Sequence, residues 1–251
     1  MTEVRKNKTI IISATIVLYK ENVQTLKATV KSFLQIPFSK KLYLIDNSPK
    51  NNLEHVFKHP EIEFIFNNKN LGFGAAHNLV LEKLNSEYHL ILNPDVTFKA
   101  SIFKELILQL QQQKNVAMIA PKVVYPNGEN QVICRKNPTA KEMISRRIGL
   151  FKKNEYSEAK LSKSFNPEFI HGCFMLFKTA DFINLKGFDE RYFLYLEDAD
   201  ICREIKKVGK EILYYPKVQI THIHRKGSAK NIKLLTHHIS SARKYFKKWK
   251  N

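Results

Sequence analysis

Scarcity sets the first limits. The chain has three cysteines, Cys134, Cys173 and Cys202, far apart and without a C-x-x-C pair. Neither a disulfide framework nor a zinc ribbon fits, and reduced thiols of a cytoplasmic protein are expected. Eight glycines and nine prolines in 251 residues are too few for a low-complexity or collagen-like chain. No apolar run reaches the ~18 residues of a membrane-spanning helix. Acids are scarce: 23 Asp and Glu face 42 Lys and Arg, giving a net charge of +19. So large an excess points to an anionic partner: nucleic acid, an acidic membrane face or a phosphorylated substrate.

What is present is globular. Hydrophobic residues make up 43% and charged residues 26%, which excludes a disordered chain. The length allows one to two domains, and an α/β core with an elaboration suits it. Arg5, Lys6 and Lys8 precede the apolar run Thr9–Tyr19, superficially like a secretory leader. That run is rich in β-branched residues and stops at Lys20-Glu21 without a small-residue cleavage site, so it reads as a buried first strand.

Strand candidates are Ile10–Tyr19, Leu42–Asp46, Glu63–Asn67, His89–Asn93 and Val116–Ala120. Helix candidates between them are Val23–Gln35, Gly74–Leu84 and Ser101–Gln113. In the first helix Val23, Leu26, Val30, Phe33 and Leu34 recur at spacings of three and four. Strands separated by helices imply βαβ units and a parallel sheet, whose ligands bind at the carboxyl ends of the strands. The residues there are Tyr19-Lys20, Asp46-Asn47, Asn67-Asn68 and Asn93-Pro94-Asp95. Asp and Asn also serve as plain turn residues after strands. The whole set on one rim favours a site.

After residue 121 the pattern changes. Pro126-Asn127-Gly128 signals a hairpin turn. Residues 131–153 carry seven Lys or Arg and one acid, which reads as a basic loop or short helix. Phe169–Phe177 is strand-like, a helix is expected from Asp198 to Val208, and strands at Ile212–Tyr215 and Val218–Thr221. From Ile232 the apolar positions 232, 235, 239, 242, 246 and 249 mark one helical face, and the last 40 residues hold ten Lys or Arg and no acid. Such a helix suits a membrane surface, or docking on the core with a solvated basic face.

Several residues could carry chemistry. Asp95, in a turn after an apolar strand, suits a hard divalent cation that shares its coordination with phosphates and water. Glu197, Asp198 and Asp200 are three acids in four residues of a basic protein. They suit a helix N-terminus, or a general base beside a loop. His222 and His224, with Arg225 and Lys226, could ligate a metal, contact a phosphate or form an ordinary surface cluster. Gly72-Phe73-Gly74 lacks the third glycine of a dinucleotide fingerprint, where His77 stands, and follows the third strand rather than the first.

Taken in order, ATIVLY at 14–19, IDNS at 45–48, NLGFGAAHN at 70–78, ILNPDV at 91–96, HGCFMLFK at 171–178 and GFDERYFLYLEDADIC at 187–202 resemble family 2 glycosyltransferases of the GT-A fold. The resemblance is closest to bacterial rhamnosyltransferases of surface-polysaccharide assembly, and runs from about Ala14 to Ser228. It implies a Rossmann-like, mostly parallel sheet with an acceptor-side elaboration. The transferase domain would occupy 1–228, its nucleotide-sugar half about 10–120 and its acceptor half about 121–228, followed by a basic helix at 229–251. Tyr19, Asp46, Asn70, Gly72, Asn78 and Asn93 would line the nucleotide-sugar side. Asp95 would hold Mg²⁺ or Mn²⁺ with His222, although Asn93 replaces the first Asp of the family's D-x-D motif. Asp198 would be the catalytic base, with Glu197, Asp200, Gly172 and Cys173 on the acceptor side, and His224 and Arg225 near the diphosphate.

The resemblance further implies inverting transfer of a sugar, L-rhamnose from dTDP-L-rhamnose, to a saccharide acceptor, lipid-linked and met at the inner face of the cell membrane. Two alternatives stand: a UDP-sugar donor on the same scaffold, since donor choice rests on few contacts, and a nucleic-acid-binding protein exploiting the charge. Against the latter, no DNA- or RNA-binding motif is present, and the positive charge concentrates in one loop and the tail.

Overall fold

The computed structural model describes residues 11–147, 156–223 and 232–249. The first half builds β1 (Ile11–Leu18), α1 (Val23–Leu34), β2 (Ser39–Asp46), β3 (Ile62–Phe66), α2 (Phe73–Asn78), β4 (Tyr88–Leu92), β5 (Val96–Thr97), α3 (Ile102–Gln112) and β6 (Val116–Val124). The second half adds β7 (Cys134–Arg135), α4 (Ala140–Arg147), α5 (Glu158–Leu161), β8 (Phe169–Ile170), β9 (Phe174–Lys178), α6 (Thr179–Asn184), α7 (Glu197–Lys207), β10 (Glu211–His222) and α8 (Ile232–Trp249). Ile10, the first residue of the expected first strand, lies outside the described residues, as does the end of the expected basic loop, residues 148–153.

One sheet orders its strands β3-β2-β1-β4-β9-β6-β10-β5. All neighbours are parallel except β9, which runs against both β4 and β6, and β5, which runs against β10. This is the mostly parallel sheet that the alternation of strands and helices implies. Strands β1 to β4 are mutually parallel, so residues 18, 46, 66 and 92 all emerge on one edge. Burial on both faces explains the near-continuous apolar runs. In β1, Ile12, Ala14, Ile16 and Leu18 are fully buried on one face, and Ser13 and Thr15 are buried on the other.

Helix α1 forms where its periodicity predicts. The Asn22 side chain accepts the Thr25 N–H at 3.0 Å and caps its start. Leu26, Val30 and Phe33 face the core. Thr29 is also buried, and its hydroxyl donates to the Pro94 carbonyl at 2.8 Å, which pins the turn carrying Asp95.

Three elements differ from expectation. The helix expected over 74–84 ends at Asn78 and continues only as a short 3-10 turn at Leu81–Lys83. Asn78 there turns its side chain to residue 188 instead of outward. The run 169–177 is two strands in different sheets, split by a turn in which Cys173 N–H donates to the His171 carbonyl at 2.9 Å. The two strands expected at 212–215 and 218–221 are one bent strand whose register slips between Tyr215 and Gln219. Pro216, which has no N–H for the ladder, sits at the slip.

A buried polar chain runs through the core beneath β1. His89 Nδ1 lies 2.7 Å from Ser13 Oγ and its Nε2 lies 3.2 Å from Thr15 Oγ1, which is also 2.6 Å from His77 Nδ1. Burial holds the His77 imidazole well below its usual range and lowers His89 to about 3. The folded protein therefore keeps residue 89 neutral while the unfolded chain takes up a proton there below about pH 6.5. The stability this confers is full above that pH and is lost as pH falls toward 3. Between pH 6 and 4 the difference in unfolding free energy between the wild type and His89→Gln should change by about 1.4 kcal/mol per pH unit. Urea denaturation of both proteins at each pH measures it, and a difference independent of pH would contradict a neutral buried histidine.

Candidate functional site

The strand ends open into a cavity of about 880 Å³, within the ~300–1,000 Å³ range of small-molecule sites. Tyr19 and Lys20 after β1, Asn47 after β2, Asn70 and Gly72 before α2, and Asn93-Pro94-Asp95 after β4 contribute to its lining. Amide side chains link these ends. Asn47 Nδ2 donates to the Gly72 carbonyl at 3.1 Å and to Asn70 Oδ1 at 3.3 Å, and Asn70 Oδ1 also accepts the Gly72 N–H at 2.9 Å. Gly72 is required here. Its φ of 87° is left-handed, and a Cβ would stand 2.2 Å from the Phe193 carbonyl oxygen.

Asp95 and His222 face each other at this cavity. Asp95 Oδ1 lies 3.1 Å from His222 Nε2, Asn93 Nδ2 lies 3.4 Å from the same nitrogen, and Gln131 Oε1 lies 2.9 Å from His222 Nδ1. The backbone fixes this meeting: His222 pairs with Val96 across the β10–β5 ladder, and Ile223 N–H donates to the Asp95 carbonyl. Burial alone would push the His222 imidazole down, but hydrogen bonds with Asp95 and Cys173 carry it up to about 10. Among the described residues no group of three or more His, Cys, Asp or Glu is spaced to enclose a metal. One carboxylate and one imidazole on a cavity wall do suit a divalent cation whose remaining positions are filled by phosphate oxygens and water.

The acidic run at the start of α7 is divided among three environments. Glu197 is buried, its Oε2 has no hydrogen-bond partner among the described residues, and its Cβ packs near Gly74. Burial, then the neighbouring Asp198 and Asp200, push its carboxyl well above the usual range. Asp198 keeps a partly exposed carboxylate. Its Oδ1 accepts the Ala199 N–H at 2.8 Å, and its Oδ2 accepts the Gly172 N–H at 3.2 Å and lies 3.3 Å from His171 Nδ1. A Cβ on Gly172 would stand 3.5 Å from the Asp198 Cβ and 3.6 Å from the ring of Phe73, so Asp198 adjoins the cavity wall that Phe73 helps to form. Tyr195 and Leu196, just before the helix, both have left-handed backbones, with φ of 71° and 69°. For side chains of this size that costs on the order of 1–2 kcal/mol each, and such strain collects at functional sites.

Asp200 faces elsewhere. It is 1% exposed and accepts from Tyr192 Oη at 3.1 Å, Lys248 Nζ at 2.7 Å and Trp249 Nε1 at 2.7 Å. Lys248 also meets Asp189 and Glu204, each at 3.0 Å. These contacts dock α8, together with the buried Tyr245 and the Ser241 hydroxyl, which donates to the Leu194 carbonyl at 2.8 Å. Farther up the same helix Leu234 and His237 line the cavity, and the His237 ring stacks on Phe193 at 4.4 Å. Docking uses a face centred on residues 241, 245 and 248, rotated from the apolar stripe seen in the sequence. Ala242, Phe246 and Trp249 of that stripe pack on the core, while Ile232 and Ile239 are exposed.

Of the residues expected in the site, the structure brings Tyr19, Asn70, Gly72, Asn93, Asp95 and His222 to the cavity. It places Asp198, Gly172 and Cys173 beside it. Three of the expected residues stand off the cavity lining in this structure. Asp46 is fully buried outside the lining, with Oδ1 accepting the Ser48 N–H at 2.8 Å; its neighbour Asn47 reaches the cavity. Asn78 grips residue 188, donating to its carbonyl and accepting its N–H at 2.8 and 2.9 Å, because Gly187 leaves the space. Asp200 anchors α8. His224 and Arg225 lie outside the described residues. The sequence reading missed Gln131, His171 and His237, and gave Asn47 only as a rim residue after the second strand. Asn47 and His171 stood inside the quoted motifs; nothing local marks Gln131, whose partner is 91 residues away.

Residues 13–185 match glycosyl transferase family 2, and the chain belongs to that family. Similar curated proteins include a low-salt glycan biosynthesis hexosyltransferase of Haloferax volcanii, 25% identical over 78% of this chain and 62% of that protein. Another is the N-acetylglucosaminyl-diphospho-decaprenol L-rhamnosyltransferase of Mycobacterium tuberculosis, 24% identical over 74% and 67%. The chain thus spans about two thirds of these relatives. Its fold is shared with the solved structure of GalNAc-T7 with UDP, GalNAc and Mn²⁺, at a TM-score of 0.69 and 17% identity, covering 89% of this chain and 45% of that one. The central sheet and flanking helices are the GT-A arrangement.

The Asp200–Lys248 pairing is testable as a coupled pair. Lys248→Met leaves a buried carboxylate short of its cation and should lower stability by about 2–3 kcal/mol. Adding Asp200→Asn should recover a substantial part of that loss. Losses that simply add in the double variant, measured by denaturant unfolding, would contradict the coupling.

Proposed function

We propose that the chain is an inverting glycosyltransferase that moves a sugar from a nucleoside diphosphate to a saccharide hydroxyl. The observation that carries this reading is the joint placement of three groups: Asp95 and His222 paired on the cavity, and Asp198 against its Phe73 wall. Tyr19 and the Asn47–Asn70–Gly72 cluster would receive the nucleotide, and the paired Asp95 and His222 its diphosphate. A divalent cation held by Asp95 and His222 would supply Lewis-acid stabilisation of charge on the diphosphate oxygens.

The rest follows from this chain's own groups. Asp198 takes the proton from the acceptor hydroxyl as that oxygen bonds to the anomeric carbon. The bond from that carbon to the diphosphate oxygen breaks, and the electron pair leaves with the nucleoside diphosphate. Attack from the face opposite the leaving group inverts the centre, and a single carboxylate suffices as base. Burial pushes the Glu197 carboxyl well above the usual range, which disfavours a second negative charge beside Asp198.

For the donor, dTDP-L-rhamnose is the reading favoured by the rhamnosyltransferase among the relatives, and a lipid-linked saccharide is the matching acceptor. Asp198→Asn should lower transfer by at least ~100-fold, the lower end of general-base contributions, with donor affinity nearly unchanged. Product formation from labelled donor, alongside donor titration, measures both. Equal loss of both, or full activity, would overturn the base assignment.

Peripheral attachment to an anionic membrane is proposed for the outward side of α8. Ile232, Ile239, Arg243 and Lys247 are exposed there and do not belong to the docking face. Each basic residue near such a surface contributes ~1 kcal/mol. Arg243→Glu with Lys247→Glu should reduce co-sedimentation with phosphatidylglycerol vesicles and leave the unfolding midpoint in place. Unchanged sedimentation would confine α8 to its docked role.

A further inference from the structure

We infer that His171 is a positioning residue for transfer, holding the carboxylate of Asp198 in the orientation in which it meets the acceptor hydroxyl. The inference rests on the reading of Asp198 as the base. It adds a side chain from a different element, which the acidic run itself does not reveal.

The geometry is local and built. His171 follows β8, and its own N–H donates to the Ile133 carbonyl at 3.0 Å. Its carbonyl accepts the Cys173 N–H at 2.9 Å, which closes a tight turn over residues 171–173. The ring stands edge-on to Phe169, centroids 5.3 Å apart at 84°. Phe169 is itself buried and belongs to the β7–β8 pair, so the imidazole is mounted on a fixed support. That mount brings Nδ1 to 3.3 Å from Asp198 Oδ2, while the next residue's N–H reaches the same oxygen at 3.2 Å.

Two donors from one turn thus converge on Oδ2, and the Ala199 N–H takes Oδ1. Asp198 is the first-turn residue of α7, and without the turn at 171–173 its carboxylate would be held by its own helix alone. A carboxylate accepts up to about four hydrogen bonds. Three backbone and side-chain donors therefore fix the plane of the group and leave lone-pair capacity for the incoming hydroxyl. His171 Nδ1 acts here as the donor, which assigns its proton to Nδ1. The side chain is 47% exposed, against 14% for Asp198, so nothing in the core requires an imidazole at this position. Its specific use is the contact with the base.

The difference between positioning and mere packing lies in what each substitution keeps. In His171→Asn the side-chain amide N–H can take the place of Nδ1–H, whereas His171→Ala removes the donor. Loss of one hydrogen bond to a charged group predicts a fall in kcat of about 10- to 100-fold in His171→Ala. Donor KM should change less than about twofold, because His171 is not on the cavity lining. His171→Asn should retain kcat within about threefold of the wild type. Steady-state kinetics with a nucleotide-sugar donor and a saccharide acceptor read this split, with Asp198→Asn run in parallel. An inactive Asp198→Asn beside a fully active His171→Ala overturns the positioning role and leaves the base intact. A fall in kcat that is equal in His171→Ala and His171→Asn also overturns it. An active Asp198→Asn removes the base reading on which the inference stands.

Discussion

Three carboxylates within one helical turn cannot share one environment. Brought together in water they repel, and buried together they cannot all ionise. The start of α7 separates them. Glu197 is buried, and burial pushes its carboxyl well above the usual range. Asp198 stays beside the cavity wall, its oxygens met by two backbone N–H groups and His171. Asp200 points to the far side, where burial raises its carboxyl and Lys248 and Trp249 oppose that rise. The two residues that lead into the helix, Tyr195 and Leu196, are both left-handed.

Because one helix carries both Asp198 and Asp200, the proposed chemical group and the anchor of α8 are mechanically joined. Helix α8 returns over the molecule to place Leu234 and His237 on the cavity, stacked on the segment that leads into α7. The parallel strands supply one wall through their carboxyl ends, and the C-terminal helix supplies another. The match to the family ends at residue 185, so Asp198, His222 and α8 all lie beyond it. The large positive charge is partly internal to this arrangement: Lys248 is spent on three carboxylates, and Lys244 donates to the Arg191 carbonyl.

Strands β2, β3, β4 and β6 were legible because each is a short apolar run bordered by Asn, Asp or Pro, and burial on two faces accounts for such runs. For the same reason Asn93 and Asp95 could be placed at the cavity from their position after a strand, whereas Asn70 came from the family resemblance. His222 needed only the register of the last strand. Roles that depend on a distant partner could not be read. Asn78 sits in a glycine-rich helix start that suggests a ligand, yet its partner is residue 188, admitted by Gly187. Asp200 suggests a site until Lys248 is placed beside it. Part of the apolar stripe of α8, Ala242, Phe246 and Trp249, packs on the core, but an ion pair and a buried tyrosine centre the docking on the adjoining face. In each case periodicity gave the element, and a polar contact spanning tens of residues gave its orientation.

The central claim is that the cavity takes a nucleotide sugar with its diphosphate at Asp95 and His222. Calorimetric titration with dTDP-L-rhamnose, UDP-glucose, UDP-galactose and UDP-N-acetylglucosamine, each with Mn²⁺ and with chelator, tests it most directly. The account expects dTDP-L-rhamnose to bind best, more tightly with Mn²⁺ than with chelator, and expects Asp95→Ala to erase that Mn²⁺ dependence. Absence of binding by every nucleotide sugar, or binding indifferent both to Mn²⁺ and to the loss of Asp95, would contradict it.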